Sequence, residues 1–135
     1  MTYNVIDIEG IGSAYASRLE IHGIKTTEEL LQKAGTKAGR EILAAGSKLP
    51  ETLILTWVNH ADLMRINGIA GQTAELLEAA GVDTVKELAT RNASNLHAKL
   101  LEVNKQFGLS GRVPSLEMLE DMIREAKQMD PKVFH

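Results

Sequence analysis

The chain has 135 residues, 44% of them apolar, a formal net charge of −3 and no cysteine. That length and composition exclude disorder and point to a globular domain with a real core. The charge argues against a dedicated DNA-coating protein, and the lack of thiols excludes disulfides and thiolate metal centres. Aromatic residues are only 4% of the chain, so aliphatic and alanine packing must form the core. The first residues, Met1-Thr2-Tyr3-Asn4, lack the basic and apolar regions of a signal peptide. No apolar run reaches membrane-spanning length. A cytoplasmic protein with no membrane partner is expected.

In chain order, the first strong signal is Ile8-Glu9-Gly10-Ile11-Gly12-Ser13. It returns 58 residues later as Ile66-Asn67-Gly68-Ile69-Ala70-Gly71. Ten of the 24 positions from Ile8 to Leu31 are identical at that offset, among them Leu19/Leu77, Gly23/Gly81, Thr26/Thr84 and Glu29/Glu87. An internal repeat organises the whole chain. Each copy reads as a series of short helices. One is expected over Ser13–His22, ended by Gly23. Thr26 with Glu29, and Thr84 with Glu87, form capping boxes that start helices over Thr27–Lys33 and Val85–Arg91. Thr36 and Ser94 read as caps of third helices, with Ile42 and Leu43 facing in from one and Leu96, Leu100, Leu101 and Val103 from the other. Pro50 opens a longer helix, whose stripe Leu53, Ile54, Trp57, Val58 and Ala61 predicts a helix running to about Ile66. Its counterpart is Leu116–Met129, with Ser115 as cap and Leu116, Leu119, Met122, Ile123 and Ala126 facing in. Residues 107–114 form a loop, and 130–135 a loose tail. The expected fold is all-α, about eight short helices in one compact domain over 1–135. Repeat one spans about 4–63 and repeat two about 64–129.

The pattern apolar-x-Gly-apolar-Gly-x-x-x-Ala-x-x-Leu resembles the helix-hairpin-helix family. Together with Trp57-Val58-Asn59-His60-Ala61-Asp62-Leu63 and Asn95-Leu96-His97-Ala98-Lys99-Leu100, it resembles a bacterial family of small tandem helix-hairpin-helix proteins of unknown function. In helix-hairpin-helix proteins the turn's N–H groups hold a DNA phosphate, and paired hairpins grip both strands without reading sequence. The resemblance therefore implies phosphate contacts at Gly10, Ile11, Gly12 and Ser13, and at Gly68, Ile69, Ala70, Gly71 and Gln72. Arg18, Lys25 and Arg65 are the nearest basic side chains. Ala70 replaces the second glycine, and its methyl group would crowd a phosphate or change the turn. No Lys or Arg follows either turn, where DNA-binding members commonly carry one.

The polar residues Asn59, His60 and Asp62 read better as a solvent face or caps beside a core Trp57 than as a site. His22, His60, His97 and His135 lack metal-ligand spacing, so no metal is expected. Gly35-Thr36-Lys37-Ala38-Gly39-Arg40 lacks the phosphate-loop ending and a preceding strand. Lys33, Lys37 and Arg40 make a small basic cluster in repeat one, which a solvated helix face explains equally well, and Glu117, Glu120, Asp121 and Glu125 make the last helix acidic on its outer face. No catalytic residues, no cofactor beyond a monovalent cation at the first hairpin, and no small-molecule substrate are expected. The function expected is non-catalytic, sequence-independent binding of double-stranded DNA. The alternative is a protein–protein adaptor or scaffold built from the same helices.

Overall fold

The computed structural model describes residues 2–135. A single 3-10 turn at Val5–Asp7 precedes eight α-helices among the described residues. They are α1 (Ser13–Ile21), α2 (Thr27–Ala34), α3 (Lys37–Ser47) and α4 (Glu51–Leu63), then α5 (Gly71–Ala79), α6 (Val85–Leu88), α7 (Ala93–Phe107) and α8 (Leu116–Gln128). The fold is all-α, and its extended pairing is one isolated bridge between Asn4 and Thr26. That bridge ties the amino-terminal segment down through Val5 N–H to Lys25 O and Thr27 N–H to Tyr3 O, at 2.9 and 2.8 Å. No described helix is long and apolar enough to cross a membrane.

The capping box forms in full at Thr26, where the Glu29 carboxylate also accepts the Thr26 N–H, whereas at Thr84 only the hydroxyl half forms and Glu87 takes the Asp83 N–H instead. The Thr26 and Thr84 hydroxyls accept the N–H groups of Glu29 and Glu87, at 3.1 and 3.2 Å. Thr36 caps α3 through Gly39 N–H, and Ser115 caps α8 through Met118 N–H. Other boundaries move. Asn92, not Ser94, caps α7 by accepting Asn95 N–H at 3.0 Å. The helix expected over Val85–Arg91 stops at Leu88, because Thr90 and Arg91 bond three residues back in tight turns. The helix expected to reach Ile66 ends at Leu63 for the same reason: Arg65 N–H bonds Asp62 O and Ile66 N–H bonds Leu63 O, both at 3.1 Å.

Helix α4 is the centre of the molecule. It packs against α2, α3 and α5, while α8 packs against α6 and α7. Ile54, Trp57, Val58 and Ala61 of α4 and Leu119, Met122, Ile123 and Ala126 of α8 are buried at matching spacings. Trp57 is 1% exposed, and the Tyr15 ring of α1 tilts against it with centroids 5.0 Å apart. Three side chains expected to face in do not. Ile42 is 75% exposed, and Leu101 and Leu116 also face water. In α3 the inward ridge is Arg40, Leu43 and Ser47, which puts Ile42 about 100° off it. In α7 the ridge is Leu96, Leu100 and Val103, and Leu101 lies beside it.

The carboxy-terminal segment, expected as a loose tail, is held against the helices. Phe134 N–H donates to Gly35 O at 2.8 Å, Arg40 Nη2 to Phe134 O at 2.8 Å, and Arg65 Nη2 to Asp130 O at 3.0 Å. Val133 and Met129 are half-buried against the core.

Candidate functional site

The two glycine turns have the same backbone. In each, two buried isoleucines anchor the turn: Ile8 and Ile11 in the first, Ile66 and Ile69 in the second. The N–H of the later isoleucine bonds the carbonyl of the earlier one at 3.1 Å in both. Between them Gly10 and Gly68 sit at φ +89° and +92°, a conformation that side chains disfavour. Gly12 and Ala70 then begin α1 and α5 with nearly equal dihedrals, −90°/−174° and −105°/−172°. Alanine therefore leaves the second turn's geometry unchanged.

The surroundings differ. At the first turn Gly12, Ser13 and Ala14 are exposed, and nothing lies within 4 Å of where a Cβ on Gly10 or Gly12 would stand. The first-turn N–H groups of α1 face solvent, as helix termini leave them. At the second turn the protein's own groups close in. Asn67 N–H donates to both carboxylate oxygens of Glu125, at 3.0 and 3.2 Å. A Cβ on Gly68 would stand 3.2 Å from Met122 Cε. Gly71 is buried against the first turn, where a Cβ would collide with the Asp7 carbonyl oxygen and stand 3.4 Å from the Glu9 carboxylate. Glu125, read from sequence as part of an outer face, is thus the anion at the second turn.

Between the turns lies an open cleft of about 710 Å³, whose charged lining is Asp7, Glu9 and Arg112. Its surroundings are acidic. Burial first, and then the neighbouring Glu9 and Glu78, hold the Glu75 carboxyl above its ordinary range despite some relief from His60. Burial, Glu87 and Glu78 raise Asp83 in the same way. Glu29 shifts the other way, because the N–H groups of Lys25 and Thr26 stabilise its charged form.

The basic residues expected to assist the turns are otherwise engaged. Arg65 pairs with Asp62 at 2.7 Å, and Arg18 donates to Ser47 O at 2.7 Å. Lys25 stands 3.6 Å from Glu20, both exposed. Arg40 is not on a solvated basic face: it is 3% exposed, with its guanidinium on the Ala34 and Gly35 carbonyls.

Asn59, His60 and Asp62 also depart from the expected solvent face. They are 7%, 2% and 2% exposed. His60 Nε2 lies 2.9 Å from Glu78 Oε2, while His60 Nδ1 and Asn59 Oδ1 have no partner among the described residues. Asp62 accepts the Val85 N–H at 2.8 Å besides its pair with Arg65. The sequence carries no local signal for this burial, because Thr56, Asn59, His60 and Asp62 fall on one side of α4 and read as its polar face. Among the described residues no three His, Asp or Glu side chains are grouped to hold a metal.

Residues 9–129 match the family described as Domain of unknown function (DUF4332). The chain belongs to that family. The match takes in both glycine turns from Glu9 onward and all eight helices, ending at Met129, just before the docked carboxy-terminal segment. No curated protein and no solved structure matches the chain.

Proposed function

We propose that this protein is a non-catalytic protein-interaction module built on two helix-hairpin-helix repeats. The matched dihedrals and hydrogen bonds at Gly10 and Gly68 support the repeat reading. The observation that carries the interaction reading is the Glu125 carboxylate on the Asn67 N–H. A paired-hairpin grip on DNA needs both turns free to take a phosphate. Here the Glu125 carboxylate sits on the Asn67 N–H at the entry to the second turn, and Glu9 stands beside the start of α5. A phosphate approaching that turn would be repelled by both carboxylates.

Double-stranded DNA is the second reading, favoured by the open first turn. One hairpin could hold one phosphate, with Arg18 and Lys25 engaged internally and Arg112 as the basic side chain of the neighbouring cleft. Fluorescence anisotropy of a labelled duplex of about 20 base pairs separates the two. Non-specific binders reach Kd values of roughly 10⁻⁴–10⁻⁶ M. The expected result is no salt-sensitive binding in that range, even at low salt. Salt-sensitive binding that disappears in a folded Gly12→Val variant would establish the DNA reading instead.

A further inference from the structure

Arg40 is a buried cation that lacks a counter-charge. Its Nη1 donates to Ala34 O and Gly35 O at 3.1 and 2.9 Å, and its Nη2 to Phe134 O at 2.8 Å. All three acceptors are neutral carbonyls, and no carboxylate pairs with it among the described residues. Burying a guanidinium this way is costly, and a carboxylate is the partner its planar fork matches best.

The segment seated over Arg40 lies outside regular secondary structure and is held through its main chain. Phe134 has both backbone groups engaged, its N–H by Gly35 O and its carbonyl by Arg40. Gly35 makes the approach possible, since a Cβ there would collide with the Lys132 carbonyl oxygen. Val133 is half-buried on the core, and Phe134 is 52% exposed beside a cleft of about 690 Å³ that Leu31, Gln32, Thr36 and Met129 help to line. A peptide that ended at the Phe134 position would place a carboxylate, not a carbonyl, on the Arg40 fork.

We propose that this groove is a docking site for the free carboxyl end of a partner protein, one whose last two residues are apolar. Residues 131–134 of this chain occupy it as an intramolecular placeholder. The proposal rests on the interaction reading above and names its partner chemistry. Two apolar side chains and a main chain bonded at both its N–H and its carbonyl are what the placeholder displays; the terminal carboxylate is what the unpaired Arg40 adds.

The test uses two labelled tetrapeptides of sequence Pro-Lys-Val-Phe, one with a free carboxylate and one amidated, titrated into the full-length protein. The same titration is run on Val133→Ser and Phe134→Ala, which weaken the placeholder's apolar contacts and add no charge near Arg40, with helicity checked by circular dichroism. A tethered placeholder competes at an effective concentration of order millimolar. The acid peptide should bind at least tenfold tighter than the amide, and at least tenfold tighter again once the placeholder is loosened. Arg40→Lys should erase the preference for the acid. Equal binding of acid and amide, or no binding to either folded variant at several millimolar peptide, overturns the proposal. Those results with no duplex binding remove this groove alone; duplex binding removes the interaction reading itself.

Discussion

Asp62 of α4 accepts the Val85 N–H at 2.8 Å, so a buried carboxylate in the central helix holds the first residue of α6. The same carboxylate pairs with Arg65 at 2.7 Å, at 3% side-chain exposure against 18% for the arginine. One side chain thus joins the end of α4, the approach to the second turn and the start of a four-residue helix too short to persist alone. Removing it strands a buried N–H and leaves a guanidinium uncompensated. Asp62→Ala should cost about 3–5 kcal/mol, and Asp62→Asn less, since an amide oxygen can still accept from Val85. Urea unfolding of the three proteins checks this. A cost for the alanine variant under about 1 kcal/mol would mean that water already shares the site.

The two turns predict opposite responses to one methyl group. Gly12 has ordinary negative φ and open space where a Cβ would stand, and Ala70 already occupies the equivalent backbone. Gly12→Ala should stay within about 0.5 kcal/mol of the parent. Gly71 has the Asp7 carbonyl in that place. Gly71→Ala should destabilise by about 1–3 kcal/mol, because rigid backbone must shift. Thermal melts of the pair decide it, and equal melting temperatures would show that the two turns do not pack as described.

Glu75 and Asp83 have carboxyls raised above their ordinary values near 4.5 and 3.8, in both cases mainly by burial. A raised folded-state pKa means that the folded protein prefers the protonated form. The associated stability is fully present below the ordinary value and is lost as pH rises through the raised one. Neutral replacements remove that loss. Glu75→Gln and Asp83→Asn should each melt higher than the parent at pH 7, by less than about 1 kcal/mol in stability, with the advantage vanishing as pH falls below 4. Glu29, lowered by its backbone donors, runs the other way: its contribution is present above pH 4.5 and is lost as pH falls through its lowered value. An advantage for the Gln and Asn variants that persisted at pH 3 would assign it to something other than charge.

Ile21 and Ile42 lie outside the core. Changing both to Ser should leave the unfolding midpoint within about 0.5 kcal/mol of the parent. A loss of 2 kcal/mol or more in Ile42→Ser would place that side chain inside after all. A neutral result makes the double variant a clean probe of partner contacts.

Much of the fold was legible because its signals are local. The Thr26–Glu29 and Thr84–Glu87 spacings, the glycines at the turns and the stripe around Trp57 each act within one or two helical turns. The all-α class and most helix positions follow from them. Register errors at Ile42 and Leu101 arose where neighbouring apolar residues compete for one ridge, and only packing selects between them.

What the sequence determined by itself is the pair of matching turns, since Gly10 and Gly68 permit the same positive φ between equivalent pairs of buried isoleucines. What only the tertiary structure decided is what each turn and each charge meets. Glu125 reaches Asn67 across 58 residues, Asp62 reaches Val85 across 23, and Phe134 reaches Arg40 across 94. Burial is a property of neighbours rather than of residue type. Asp62, His60 and Arg40 read as surface in the sequence because nothing local to them reveals that α4 is enclosed on several sides or that the chain's end folds back over α3.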